Sequence, residues 1–175
     1  MEKAIENSLN VKGRSPSNHF LKGLGWGLIG GLTGTIGMDM VLMGSFSAFG
    51  LPALTCFSII GNTIASFFSV KGMEMARAIQ IGVATHYFIG PLIGALFGMS
   101  AVRIKCLRVR SMKKCILLAV LFVELISQPL LATSPLLLKM TAPVTLLWYG
   151  GSFVMHMLAG GVLGAVVGRG LRLDK

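Results

Sequence analysis

Long apolar runs separated by short basic clusters make up most of this chain. Four runs are long enough to cross the hydrocarbon core of a bilayer, which takes about 20 residues. They lie near residues 23–48, 79–102, 115–138 and 145–168. A fifth apolar run, 51–70, is interrupted by Pro52, Gly61 and Asn62. The pattern predicts an all-α chain with four spans and one shorter element whose placement depends on the charges.

The positions of the Lys and Arg residues decide between four spans and five. Four of these residues lie in 1–22, six in 103–114 and three in 169–175, and the others are Lys71, Arg77 and Lys139. Four spans place the three clusters on one side of the membrane, which the positive-inside rule favours. Counting 51–70 as a span would put the 103–114 cluster opposite the N-terminus. We therefore predict cytoplasmic N- and C-termini, and a re-entrant or interfacial helix at 51–70 on the outer side.

The composition supports a single transmembrane domain, residues 23–168, between cytoplasmic tails at 1–22 and 169–175 and with a basic cytoplasmic loop at 103–114. Hydrophobic residues make up 54% of the chain and charged residues 13%, with a mean hydropathy of +0.78. Soluble domains usually contain about a quarter charged residues. The net charge of +10 is confined to short clusters, so it does not indicate nucleic-acid binding. The predicted partner is the lipid bilayer of the cytoplasmic membrane.

Motifs of soluble enzymes are missing from the sequence. It contains neither G-x-S-x-G nor H-E-x-x-H. Cys56, Cys106 and Cys115 have no paired spacing that would indicate disulfides or zinc. We therefore predict that the protein is not an enzyme and has no cofactor. Pro129 and Pro135 are expected to kink or end the third span.

Glycines recur at every fourth position in three of the spans. Such GxxxG rows let two helix backbones approach closely and are typical of packing between membrane helices. The glycines predicted to pack in this way are Gly23, Gly27, Gly31, Gly82, Gly90, Gly94, Gly98, Gly160, Gly164 and Gly168. Glycine faces of this kind also form the contacts between the copies of a homo-oligomer, or with a partner subunit in the membrane.

Residues 82–98 and 152–168 align without gaps and share a histidine, the three glycines that follow it and one alanine. We interpret this alignment as an internal duplication, so that the four spans form two related helical hairpins. Chance similarity between two glycine-rich spans is the alternative interpretation.

Four ionisable residues fall inside the predicted spans: Asp39, His86, Glu124 and His156. At 1.5 Å per residue from the cytoplasmic edge, Asp39, His86 and His156 lie about 19–25 Å deep and Glu124 about 14 Å deep. A lone carboxylate in hydrocarbon costs several kcal/mol, so each acid is expected to be buried, paired or protonated. Each hairpin supplies one acid and one histidine. This arrangement predicts two acid–imidazole pairs or one shared cluster.

Three functions remain open for these residues. The first is a proton- or cation-responsive site in a minimal transporter or channel, because imidazoles and buried carboxylates titrate in mild acid. The second is a structural or accessory subunit in which the pairs and glycine faces serve only assembly. The third is a metal or haem site, for which His86 and His156 are the candidate ligands.

The second half of the chain resembles the small inner-membrane proteins of the YagU type. The resemblance rests on Glu124 to Leu130 (ELISQPL), Pro135, Trp148 with Tyr149, and His156, and on the residues that lead to His86. It covers roughly residues 80–168 and is loose. It implies a multi-span protein of the cytoplasmic membrane with a part in acid resistance.

Overall fold

The computed structural model describes residues 16–70, 72–104 and 111–172, which form helices joined by short turns. The helices are α1 (Pro16–Ala48), α2 (Thr55–Phe67), α3 (Met75–Arg103), α4 (Met112–Leu137) and α5 (Ala142–Arg172). No strand occurs among the described residues. All but α2 are long and apolar enough to cross a membrane, so the all-α class and the four helices of spanning length are confirmed. Residues 1–15 and 173–175, and residues 105–110 of the basic loop, lie outside the described part.

The long helices extend beyond the apolar runs that predicted them. α1 begins at Pro16 and α3 continues to Arg103. A proline suits the first position of a helix because the N–H that it lacks would have no intrahelical partner there. At the start of α4, the hydroxyl of Ser111 accepts a hydrogen bond from the backbone N–H of Lys114 (3.3 Å), which caps the helix. We call the end of the bundle that contains Arg103 and Ser111 the basic end, and the opposite end the far end.

Three pairs of long helices pack through small residues. α1 meets α3 where the carbonyl oxygen of Gly94 occupies the space that a β-carbon on Gly27 would need. On the other side of α1, a β-carbon on Gly34 would lie 2.7 Å from the carbonyl oxygen of Ala159 in α5. α5 meets α4 in the same way, since a β-carbon on Gly164 would lie 2.5 Å from the Cα of Ile116. Each of the ten glycines predicted to pack has an atom of a neighbouring helix within 4 Å of its missing β-carbon.

The short helix α2 lies against the first turns of α3, near the far end. The backbone of Gly61 meets the carbonyl of Ala78, and the backbone of Gly82 meets the carbonyl of Phe57. These contacts show that α2 runs antiparallel to α3. The Thr63 hydroxyl donates a hydrogen bond to Ser134 Oγ (2.9 Å), which links α2 to α4. α2 is therefore a part of the bundle and covers the far-end half of α3.

A compact apolar core fills the basic half of the bundle. Its buried members come from α3, α4 and α5 and are Ile93, Phe97, Ala101, Cys115, Ala119, Val123, Leu163 and Val167. Trp26 of α1 packs against this core, and the backbone of Gly170 approaches its indole ring closely. The mixture of ring, branched chain and alanine lets the helices pack closely.

α4 continues through both Pro129 and Pro135 and ends at Leu137, so Pro129 does not terminate it. A proline in a helix lacks the N–H that would bond the carbonyl four residues earlier. For Pro135 that carbonyl belongs to Leu131, and it accepts a hydrogen bond from Trp148 Nε1 of α5 (3.2 Å). A neighbouring helix thus supplies the donor that the proline removes, as membrane helices require.

Because the indole of Trp148 takes the place of the backbone N–H that Pro135 lacks, we predict an energetic coupling between these two residues. Trp148→Phe leaves the Leu131 carbonyl without a donor, which costs about 1–3 kcal/mol beyond the loss of ring contacts. In a Pro135→Ala background the helix itself supplies the N–H, so the same change should cost at least about 1 kcal/mol less. Thermal unfolding of the four purified proteins in one detergent measures the difference. Equal costs of Trp148→Phe in both backgrounds would contradict this role for the indole.

Candidate functional site

A carboxylate and an imidazole meet inside the bundle where α1 and α3 face each other. Asp39 is only 2% exposed, and its Oδ1 lies 3.1 Å from Nδ1 of His86. The N–H direction of the ring is not aligned for a hydrogen bond, and no donor is in hydrogen-bond geometry with either buried carboxylate oxygen of Asp39. Buried polar atoms are normally satisfied, so a group of unsatisfied ones marks a place where a proton, water or ligand is expected. The structure therefore brings together two of the four predicted residues.

α2 covers this pair from the side. The ring of Phe57 packs edge-on against the His86 ring, with the ring centroids 5.7 Å apart. Burial, and to a smaller degree the nearby Asp39 carboxylate, raises the pKa of the Cys56 thiol to about 12. A thiol with so high a pKa stays neutral and is a poor metal ligand, because the ligand is the thiolate. Tyr87, the neighbour of His86 on α3, is also close enough to interact with Asp39.

His156 of α5 joins the pair from the other side. Its Nδ1 is buried and has no hydrogen-bond partner. The two imidazoles are close enough for the charge of one to act on the other. The two histidines that the sequence alignment matches, at positions 86 and 156, are therefore neighbours in the bundle.

The two imidazoles lie at the boundary between two cavities. The far cavity has a volume of about 230 Å³ and extends from the histidines to Thr63, Ser134 and Trp148. The inner cavity has a volume of about 60 Å³ and extends from the histidines towards Thr35, Met38 and Leu163. Ile89 and Ser127 also line both cavities. A small species in the far cavity thus meets His86 and His156 before it reaches the inner cavity.

Apolar side chains close the inner cavity towards the basic end. Ile93, Val123 and Leu163 line that cavity and belong to the buried core. Phe97, at 1% exposure, lies one turn beyond Ile93. We call the two cavities together the chamber; its two imidazoles are separated from the basic end by this apolar barrier.

Glu124 lies apart from this chamber and lines neither cavity. It is 9% exposed, its Oε2 accepts a hydrogen bond from Gln128 Nε2 (2.7 Å), and its Oε1 is buried without a partner. Gly164 faces Ile116 and Gly160 faces Val120, so the register of α4 and α5 places His156 at the level of Glu124. Among the described residues the structure nevertheless records an acid–imidazole ion pair only for Asp39 and His86. The predicted second pair is not present as a direct contact.

The described part of the chain contains no set of side chains that would hold a metal ion, as the metal or haem alternative requires. Within residues 16–70, 72–104 and 111–172, no three His, Cys, Asp or Glu side chains are grouped closely enough to hold a metal ion. His86 and His156 are neighbours, but two ligands alone do not define a metal site.

Several residues in and around the chamber are not identifiable from the sequence. Phe57 and Cys56 fall in the apolar run whose placement the charge pattern leaves as re-entrant or interfacial. Thr63 and Ser134 are common residue types in membrane helices, and only the contact between α2 and α4 shows that they lie at the far cavity. The one signal that points to the residues of α2 is the interruption of run 51–70 by Pro52, Gly61 and Asn62. Such interruptions at membrane depth must be covered by protein or line a wet cavity.

No protein-family model, curated protein or solved structure matches this chain.

Proposed function

We propose that this chain is a multi-pass protein of the cytoplasmic membrane that responds to protons, acting as a minimal transporter or channel whose proton site consists of Asp39, His86 and His156. The observation that supports it best is the approach of the buried Asp39 carboxylate to His86, whose imidazole lines two cavities together with that of His156. Ionisable residues inside membrane bundles are costly and usually mark ion or proton pathways. The test is acid-driven proton entry into liposomes that contain the purified protein, with variants of the two histidines.

The charge balance of the site suits a proton better than a metal cation. An ionised Asp39 compensates one protonated imidazole, so the group is neutral with one proton on its two rings. Protonation of the second imidazole adds an uncompensated positive charge in a medium of low dielectric. A cation of a metal would need further oxygen or sulfur ligands, which the described residues do not bring together.

In the proposed orientation the basic end faces the cytoplasm, and α2 is a re-entrant helix at the outer face. The exposed Lys22, Arg103 and Arg169 all lie at the basic end, as the positive-inside rule demands of a cytoplasmic side. The far cavity then opens on the outer half of the membrane, so protons reach the histidines from outside.

This topology predicts the accessibility of the loops. Reporter fusions at the N-terminus, within 103–114 and at the C-terminus should all read as cytoplasmic. Single cysteines at Gly72 and Lys139, in a chain without its own cysteines, should react with a membrane-impermeant maleimide in intact cells. Protection of Gly72 from the outside reagent, with labelling only after lysis, would contradict the four-span arrangement.

We also propose that the four spans are two related hairpins, α1 with α3 and α4 with α5. In each pair the second helix carries the histidine and its following glycines, which pack against the first helix. The register places Asp39 opposite His86 and Glu124 opposite His156. The duplication therefore accounts for the presence of an acid at corresponding positions, although only the first pair makes contact.

The alternative function is that of a structural or accessory subunit. The glycines of the predicted rows pack within the chain, so they are not available to a partner. Other glycines within the long helices have no neighbour within 4 Å of a β-carbon, and these are Gly25, Gly37, Gly44, Gly150, Gly151 and Gly161. Assembly as a homo-oligomer or with another membrane subunit would use this second set. Crosslinking between cysteines placed at Gly44 and Gly151 in different copies tests this alternative.

The resemblance to YagU-type proteins remains a prediction from the sequence. It agrees with the proposed function in one respect, since a group that binds protons is one way in which a membrane protein takes part in acid resistance. A chamber that contains two histidines supports the same idea independently.

A further inference from the structure

The far cavity is rich in hydrogen-bond donors and lacks carboxylates. Its polar lining includes the two imidazoles and five hydroxyl side chains, which are those of Thr63, Thr85, Ser127, Thr133 and Ser134. Neither Asp39 nor Glu124 lines it. Imidazolium donates hydrogen bonds and hydroxyl groups can donate as well as accept them, and an ionised carboxylate accepts hydrogen bonds and carries the charge opposite to that of imidazolium. A cation in this cavity would face two imidazoles that repel it when they are protonated. The lining therefore favours an anion over a cation.

The proton site supplies the positive charge that an anion needs. With Asp39 ionised, the first proton on the two imidazoles makes the group neutral. A second proton leaves a net positive charge in a low-dielectric chamber, which is costly unless an anion enters with it. Binding of the anion and binding of the second proton should thus reinforce each other.

The walls of the far cavity select for an organic anion. Ile60, Ile64, Leu130 and Leu131 form an apolar surface on its far side from the histidines. Its volume of about 230 Å³ exceeds the roughly 150 Å³ of an engineered cavity that holds benzene, so it accommodates about six to nine non-hydrogen atoms. A strongly hydrated inorganic anion gains nothing from such walls, whereas a short hydrocarbon chain does.

We propose that the far cavity binds a small monocarboxylate together with one proton, with His86 and His156 donating to the carboxylate and the isoleucine and leucine side chains contacting its short hydrocarbon tail. This inference rests on the proposed function, because the imidazoles of the proton site provide the charge. It adds a substrate class to that function, namely weak organic acids that carry protons across membranes in acid surroundings.

The ionisable groups around the imidazoles permit this coupling. Asp39 is already opposed by His86 at 3.1 Å, and Glu124 bonds to Gln128 rather than to His156. The thiol of Cys56, held neutral by its raised pKa, adds no charge. The titratable groups around the two rings are therefore Asp39 (α1), which contacts His86, Cys56 (α2) and Tyr87 (α3), which lie near Asp39, and Glu124 (α4), which lies at the level of His156.

The test is calorimetric titration of the full chain in nanodiscs with sodium butyrate, with proton uptake followed in a weakly buffered sample. Aliphatic carboxylic acids of this kind are almost fully ionised at pH 6. We expect butyrate to bind at pH 6 with uptake of about one proton, and to bind at least about tenfold more weakly at pH 8. Butylammonium and 1-butanol, which have the same tail, should bind at least about tenfold more weakly than butyrate at pH 6.

Two variants separate this inference from the proton site on which it rests. Ile60→Phe fills part of the cavity and leaves both histidines in place, so it should weaken butyrate binding while the uptake of the first proton stays unchanged. His156→Gln should abolish the proton uptake that accompanies butyrate, whereas the exposed His19→Gln should not.

The inference is overturned if 1-butanol or butylammonium binds as tightly as butyrate, or if no carboxylate binds to a protein that still takes up the first proton. In the latter case the proposed function stands. It is also overturned if the second proton is taken up without butyrate and Glu124→Gln removes that uptake, since Glu124 would then be the compensating charge. If the histidines take up no proton, with or without butyrate, both proposals are overturned.

Discussion

Gly94→Leu should leave little folded protein in the membrane. Gly94 lies where α3 meets α1, and its missing β-carbon would collide with the Gly27 carbonyl and lie 2.6 Å from the Cα of Gly31. Because the obstacles are backbone atoms, no rotation of a side chain can make room, and the two helices must separate along their length. We expect a loss of about 3 kcal/mol or more in stability, at or beyond the upper end of overpacking costs. Gly164→Leu should act in the same way between α5 and α4, where the nearest atom is the Cα of Ile116.

Exposed glycines in α1 and α5 provide matched controls for these two substitutions. Gly44 of α1 and Gly151 of α5 are exposed and have nothing within 4 Å of a β-carbon. Leucine at either position should be tolerated, and it should raise helix propensity by up to about 1 kcal/mol. Yield after detergent extraction and the midpoint of thermal unfolding, followed by size-exclusion chromatography, compare the four variants. Equal behaviour of Gly94→Leu and Gly44→Leu would mean that the α1–α3 contact is not as close as described.

The second large effect is expected at the two histidines. Glutamine keeps a neutral hydrogen-bonding group of similar length but does not bind a proton in mild acid. His86→Gln and His156→Gln should each give folded, membrane-inserted protein whose acid-driven proton entry is reduced at least about tenfold, which is a smaller effect than the roughly 10²–10⁴-fold that a proton-transfer group typically contributes. The assay uses liposomes loaded with a pH-sensitive dye at pH 7.5, diluted into buffer at about pH 5.5, below the ordinary pKa of histidine.

The duplication and the shared chamber predict similar losses at both positions. His19 lies exposed near the start of α1, so His19→Gln is the matched control and should retain the rate of the wild type. A pair of glutamine variants that conduct protons as the wild type does, with equal stability, would reduce His86 and His156 to packing residues. A loss of folding in both variants without any functional change in the surviving protein would favour the structural-subunit alternative.

The sequence predicts the helices of this protein better than the contacts between them. Length and hydropathy are enough to identify four helices of spanning length, because a span needs about 20 apolar residues in a row. The exact ends are not predictable in this way, since α1 and α3 continue through polar residues once packing holds them. The continuation of α4 beyond Pro129 is also not predictable, because the compensating donor to the Leu131 carbonyl lies in another helix.

For the candidate site too, the sequence identifies the residues but not the contacts between them. An acid or a histidine cannot face lipid without cost, so the sequence alone singles out Asp39, Glu124, His86 and His156. Which of them meet depends on the rotation and crossing of helices. The structure joins Asp39 to His86 and brings His156 next to them, while Glu124 turns to Gln128. The cover that α2 provides follows from its packing on Ala78 and Gly82, which no local sequence signal specifies.

The most direct test of the proton site is a count of the protons that the purified protein takes up in nanodiscs. The pH is lowered from about 7 to about 5, the range in which histidine titrates, in a buffer free of carboxylates. The wild type is compared with a triple variant that combines Asp39→Asn, His86→Gln and His156→Gln. Proton uptake by groups outside the site is the same in both proteins, so it cancels in the difference. We predict that the wild type takes up about one more proton than the variant, since the described group is neutral with one proton on its imidazoles. Equal uptake by two proteins with the same elution profile and thermal stability would contradict the account.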